Sequence, residues 1–106
     1  MEKRRRKRKP VSLKVRLFWG NNTYPGTVTS LSEKGMFITT KMFPPSGSVL
    51  EAVLYIEDRH LKVPVNVKYT IRMDVTVDSV EESGIGVEFL DVPPQYLDYF
   101  KNLKDD

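Results

Sequence analysis

Two arginines four residues apart, Arg4 and Arg8, lie in a run where seven of the eight residues from Glu2 to Lys9 are basic. Guanidinium groups donate through a rigid planar fork, so the chemistry on offer is the binding of a polyanion. Some twenty residues later Ser30 and Ser32 stand two apart on a strand that is ending, which aims both hydroxyls to one side. Gly35 follows and is expected to take the positive φ that turns the chain back. Two hydroxyls and freed backbone N–H groups then share one small patch. Taken alone, Ser30-Leu31-Ser32-Glu33-Lys34-Gly35 also reads as an ordinary hairpin connection.

Catalysis finds little support in the remaining residues. The chain has no cysteine, which excludes disulfides, thiol catalysis and the common cysteine-based zinc sites. Its single histidine, His60, sits in a charged turn with no serine nucleophile in a recognisable setting. The pairs Glu57-Asp58 and Glu81-Glu82 fall in expected turns, where solvation accounts for them without an acid/base dyad or a metal cage. The phosphate-binding glycine loop of nucleotide hydrolases is missing too. The reading is a non-enzyme that needs neither metal nor cofactor.

Charge is distributed unevenly. Residues 1 to 10 hold seven basic and one acidic side chain against ten basic and thirteen acidic in the other 96, so the arm is about +6 and the body about −3. Such asymmetry points to an anionic partner that meets the arm, although a like-charge block also suits a solvated tail. No stretch has signal-peptide character, since Lys14 and Arg16 interrupt the first candidate, and no run approaches the roughly 20 apolar residues of a membrane span. A soluble, cytoplasmic protein is expected.

A single domain is expected from the 106 residues, with residues 1–10 as a flexible basic arm and 11–106 as the folded unit. Period-2 alternation places Val11, Leu13, Val15, Leu17 and Trp19 on one face of a first strand, and Gly20-Asn21-Asn22 turns it into a second over about 23–29. Further strands are expected at 36–40, 49–56 and 84–90. The alternation from Leu61 through Val63, Val65, Val67, Tyr69, Ile71, Met73 and Val75 to Val77 places all nine on one face, over a length that must bend or split. After Pro93-Pro94 the period changes: Tyr96, Leu97, Phe100 and Leu103 lie at helical spacing, predicting a short amphipathic helix over about 94–104. Six or seven short strands suggest an all-β, antiparallel closed barrel with a C-terminal helix, a split sandwich being the alternative.

The Arg4-x-x-x-Arg8 pair, the Ser30-x-Ser32-x-x-Gly35 turn, the closing Gly84-Ile85-Gly86-Val87-Glu88-Phe89-Leu90 strand and the terminal helix together resemble the PilZ domain, across essentially the whole chain. The resemblance implies a split six-stranded barrel that receives the bacterial messenger cyclic di-GMP. It implies that RxxxR and (D/N)xSxxG motifs grip the dinucleotide from two sides, here through Arg4, Arg8, Ser30, Ser32 and Gly35. Arg5 and Lys9 are further candidate contacts. Guanidinium groups fork onto phosphate or guanine acceptors and stack on purine faces, which suits these positions. Ser30 departs from the pattern, because a hydroxyl cannot take two guanine N–H donors as a carboxylate does.

That departure keeps an alternative open: a degenerate PilZ adaptor that acts on a protein partner without ligand. The excess charge of Lys3, Arg5, Arg6, Lys7 and Lys9 leaves another, a small barrel that binds nucleic acid through the arm and exposed aromatics such as Phe18, Phe37 or Tyr24. Those three rings read more simply as core or rim. The favoured reading is a receptor whose arm orders over cyclic di-GMP and changes the binding of a protein partner.

Overall fold

The computed structural model describes residues 8–74 and 81–103. Strands β1 (Lys9–Trp19), β2 (Asn22–Leu31), β3 (Gly35–Thr40), β4 (Val49–Ile56), β5 (Arg59–Asp74) and β6 (Glu81–Phe89) precede one helix, α1 (Pro94–Lys101). The strands pair in the order β1-β2-β3-β6-β5-β4, and β4 returns to β1, so the antiparallel sheet closes on itself. This is the barrel rather than the sandwich, and it has six strands. Among the described residues no helix is long and apolar enough to cross a membrane.

Inward-pointing side chains from every strand fill the interior. Leu17, Val28, Leu31, Ile38, Ala52, Leu54, Val65, Val67 and Ile85 are wholly removed from water. The first hairpin forms as its sequence demands: Trp19 pairs with Asn22 around a two-residue turn in which Gly20 takes φ 62°. β1, however, begins at Lys9, two residues before Val11, so the last two residues of the basic segment already pair with Leu31 and Ser30.

One-residue irregularities reshape three of the six seams. On β5 the register slips between Val67 and Tyr69, so Val63, Val65 and Val67 face the core while Tyr69, Ile71 and Met73 face outward. The expected single face from Leu61 to Val77 is therefore wrong beyond Val67, because an extra residue at a bulge reverses every later side chain. Val75 and Val77 lie outside the described residues. A second slip, between Val28 and Ser30, buries Leu31 and leaves Ser30 half-exposed at the rim. A third, between Pro10 and Leu13, lies opposite it on β1. Glu81-Glu82 opens β6 rather than occupying a turn.

At eight residues, α1 is too short to persist without tertiary support. Pro94 occupies its first turn, where a missing N–H costs nothing, and Asn102 ends it. Residue 104, in the expected span, lies outside the described residues. Tyr96 and Phe100 supply the support by entering the barrel core. The Tyr96 ring meets Phe89 edge-on at 4.4 Å between centroids and stacks near Phe100 at 6.2 Å.

Candidate functional site

The turn between β2 and β3 is tied down at both ends. The Ser32 N–H donates to the Gly35 carbonyl at 2.9 Å, and the Ser32 hydroxyl reaches the same oxygen at 3.3 Å. From α1 the Tyr96 hydroxyl donates to the Ser32 carbonyl at 2.5 Å and contacts the Gly35 carbonyl at 3.3 Å. The Phe89 N–H donates to the Lys34 carbonyl at 2.8 Å, fixing the tip against β6. Gly35 does not take the positive φ expected of it; in this part of the chain that conformation belongs to Gly20 and Gly47. Its requirement is steric: a Cβ there would overlap the Val87 carbonyl of β6. Glycine lets two backbones meet at this point.

Arg8 reaches this turn across the β1–β2 seam. Its Nε donates to the Ser30 Oγ at 3.1 Å, joining the second arginine of RxxxR to the first serine of the turn. Arg8, Ser32 and Gly35 also line one hollow of about 250 Å³, together with Lys34, Lys68, Tyr69, Gly86 and Glu88. Four sequence-selected residues, Arg8, Ser30, Ser32 and Gly35, are thus assembled. The two serines differ in setting, since Ser30 is half-exposed and meets the arm whereas Ser32 is buried inside the turn. Arg4 and Arg5 lie outside the described residues.

Arg8 is exposed, whereas Lys9 just after it, the first residue of β1, is buried. Its Nζ donates to the carbonyls of Phe100 at 2.9 Å and Leu103 at 3.0 Å and lies 4.4 Å from the centre of the Phe100 ring. The ammonium group caps the C-terminal end of α1, where its charge is favoured, and is absent from the lining of the hollow. Lys9→Met keeps the stem and removes the donor from two carbonyls; with charge-assisted bonds contributing about 1.5–3 kcal/mol, a loss of about 2 kcal/mol is expected in urea unfolding. A wild-type midpoint and slope in that variant would deny the cap any role.

The rim of the hollow carries Arg8, Lys34 and Lys68 against the single carboxylate Glu88, a balance that favours an anion. Lys68 and Glu88 approach to 3.5 Å, but both are too exposed for the pair to be worth much. Beneath the turn, burial pushes the Tyr96 phenol far above its ordinary range, with the Arg8 guanidinium opposing only part of the rise. Tyr96 therefore remains a neutral donor to the Ser32 carbonyl throughout ordinary pH.

A larger hollow of about 480 Å³ lies between the β4–β5 hairpin and α1, where Glu57 and Asp98 outnumber Arg59. Its size exceeds that of the Arg8 hollow, but its charge is the wrong sign for an anion and, among the described residues, none of the motif positions line it. His60 stands opposite Tyr55 across that hairpin, with ring centres 5.9 Å apart. Sequence reasoning missed Lys34, Lys68, Tyr69 and Glu88. Lys34 was legible inside the turn, whereas Tyr69 required knowledge of the β5 bulge.

Known proteins bear out this architecture. The PilZ domain of YcgR from Escherichia coli, solved with c-di-GMP, matches with a TM-score of 0.72 at 15% identity, over 94% of this chain and 87% of that one. Apo MrkH of K. pneumoniae matches with a TM-score of 0.74 at 20% identity, over 95% of this chain and 50% of that one. The Bacillus subtilis inhibitor of motility, MotI/DgrA, gives 0.69 at 11% identity, over 93% and 48%. The chain spans about half the length of the last two, and at these identities the likeness concerns the fold. No curated protein matches by sequence. The family model for the PilZ domain matches residues 2–104. Sharing that pattern almost end to end, and the closed barrel that goes with it, the chain belongs to the PilZ domain family.

Proposed function

We propose that this chain is a non-catalytic receptor for cyclic di-GMP, with the ligand held between the basic arm and the Ser30–Gly35 turn. The observation that carries the reading is the Arg8–Ser30 hydrogen bond, 3.1 Å long, which sets an RxxxR arginine against the serine turn beside a cation-rimmed hollow. Support comes from the family and from two of its members, YcgR and MrkH, which have been solved with c-di-GMP. Arg8 then forks onto a phosphate or a guanine edge, with Arg4 as its counterpart one arm segment away. Ser32 and the backbone of the turn fix the base. Two phosphates neutralise the arm as they order it, turning a cationic segment before Lys9 into a surface that a protein partner reads. An intracellular bacterial messenger places this work in the cytoplasm.

Calorimetric titration tests the assignment. Arg4→Ala and Arg8→Ala each remove a charge-assisted contact, so each should weaken cyclic di-GMP binding by about 2 kcal/mol, or roughly 30-fold. Equal heats and affinities in wild type and both variants would reject it.

Ser30 favours one second reading. Where a carboxylate or amide is usual in the family pattern, this hydroxyl already accepts from Arg8, and the missing charged contact costs about 1.5–3 kcal/mol, one to two decades of affinity. A ligand-independent protein adaptor would show a flat trace with cyclic di-GMP while still capturing its partner.

A further inference from the structure

The base of the basic arm stands between two hollows of opposite charge. Arg8 lines the smaller, which sets three cations, Arg8, Lys34 and Lys68, against the one carboxylate of Glu88. Lys9 lies at the edge of the larger: its Nζ donates to the Leu103 carbonyl at 3.0 Å, and Leu103 belongs to that hollow's lining. Residues 1–7 carry five basic side chains, Lys3, Arg4, Arg5, Arg6 and Lys7, against the single acid Glu2, about +4 in all. While no anion fills it, the Arg8 hollow repels such a segment.

The larger hollow, about 480 Å³ between the β4–β5 hairpin and α1, has the opposite character. Ile56, Leu61, Tyr99 and Leu103 are its buried and half-buried wall, and the exposed Glu57 and Asp98 outnumber the exposed Arg59. Burial raises the Tyr99 phenol above its ordinary range and the charge of Glu57 adds to the rise, which sets that carboxylate toward the aromatic wall. The C-terminal end of α1 adds the negative end of its dipole, where the Lys9 ammonium already sits. Lysine and arginine lay their aliphatic stems on apolar surface and keep their charged heads at a polar rim, which suits this combination of wall and carboxylates. Seven residues of chain span at most about 23–25 Å, and these begin two positions from a side chain that touches the lining.

We propose that residues 1–7 dock in the hollow between the β4–β5 hairpin and α1 when no ligand is bound, and that cyclic di-GMP draws them from there to the Arg8 hollow. The dock depends only on the arm and on the charges around α1; the exchange rests on the cyclic di-GMP reading above. Two sites of opposite charge compete for one cationic segment. The docked fraction cannot close on the dinucleotide, so it lowers the apparent affinity in proportion.

The test follows the arm in the intact chain. With no cysteine present, Lys3→Cys gives a single place for a nitroxide label. In an isotope-labelled sample at low salt without ligand, the amide signals of Asp98, Tyr99 and Asn102 should broaden more than those of Lys34 and Gly86. Glu57→Gln/Asp98→Asn, first shown to be folded by its thermal transition, should lose that bias, as should the wild-type surface in about 1 M salt, where charges are screened within roughly 3 Å. Cyclic di-GMP should shift the broadening to Lys34 and Gly86, and calorimetry should show the double variant binding it about threefold to fivefold more tightly than wild type. Equal broadening of the two sets without ligand, or a bias toward α1 that survives the double substitution, would overturn the dock. Broadening of label-free chains by labelled ones in a mixed sample would give the hollow to the arm of a second copy and overturn it as well. A bias toward α1 that persists with ligand bound, or unchanged affinity in the double variant, would overturn the exchange. No heat from wild type would remove the receptor reading and the exchange together, while the dock would still stand or fall on the broadening.

Discussion

Replacing Tyr96 by alanine should bring the whole domain close to unfolding. The side chain is wholly buried, meets Phe89 and Phe100 with its ring, and donates its hydroxyl to the Ser32 and Gly35 carbonyls. Truncating a large buried aromatic residue costs about 3–5 kcal/mol, and stranding a buried carbonyl adds about 1–3. Against a usual total of about 5–15 kcal/mol, a loss of roughly 5 leaves little margin. Guanidinium unfolding at pH 7 measures it, with Tyr96→Phe as the partner variant, expected to lose about 1–3 kcal/mol through the carbonyls alone.

The pH dependence separates the hydroxyl from the ring. Burial raises the folded-state pKa of Tyr96 above its unfolded value near 10. Its contribution is therefore complete below about pH 10 and declines as pH rises beyond, where the unfolded chain binds fewer protons than the folded one. Tyr96→Phe should flatten that decline. An alkaline profile identical in the two proteins, together with an unchanged midpoint at pH 7, would show that the hydroxyl does not hold the turn.

How much of this was legible in the sequence depended on where the chain kept its period. β1 from Val11 to Trp19 keeps its alternation, and it, the Gly20-Asn21 turn, β4 and the start of α1 form where the sequence places them. The slips at Val28–Ser30 and Val67–Tyr69 break the period by one residue. A bulge is decided by what the neighbouring strand must accommodate, and neither Thr29 nor Lys68 carries a local mark of it. Alternation alone consequently puts Tyr69 on the same face as Val63, Val65 and Val67.

At the site the sequence supplied residue types, and the fold supplied their directions. Arg8 and Lys9 look alike in a basic run; only the fold, with Arg8 just ahead of β1 and Lys9 its first residue, sends one to the Ser30 hydroxyl and the other to the end of α1. Tyr96 looked like a core residue of an amphipathic helix, which it is. That its hydroxyl also anchors the Ser32 turn could not be read, because nothing in the spacing of the two segments sets the helix against the turn. Through Lys9 and Tyr96, α1 touches both halves of the candidate site, the base of the arm and the serine turn.

Gly35→Ala provides the sharpest distinction between a glycine chosen for its dihedral and one chosen for its size. Gly35 pairs with Glu88 where β3 crosses closest to β6, and an added methyl would meet the Val87 carbonyl, a backbone atom in a closed sheet. No side chain can swing aside to admit it, so the strands must part. Overpacking ordinarily costs about 1–3 kcal/mol, and this rigid case should lie at or above the upper end, about 3 kcal/mol or more. Gly20 makes the control. There φ is 62° and nothing lies within 4 Å of the built Cβ, so alanine meets only the left-handed penalty of about 1–2 kcal/mol. Separation at Gly35 would also displace the carbonyl that Ser32 and Tyr96 share, so cyclic di-GMP affinity should fall alongside stability, whereas Gly20→Ala should leave affinity unchanged. Urea unfolding and calorimetry on the two variants decide the matter, and a Gly35→Ala protein no less stable than Gly20→Ala would mean that β3 and β6 separate there without cost.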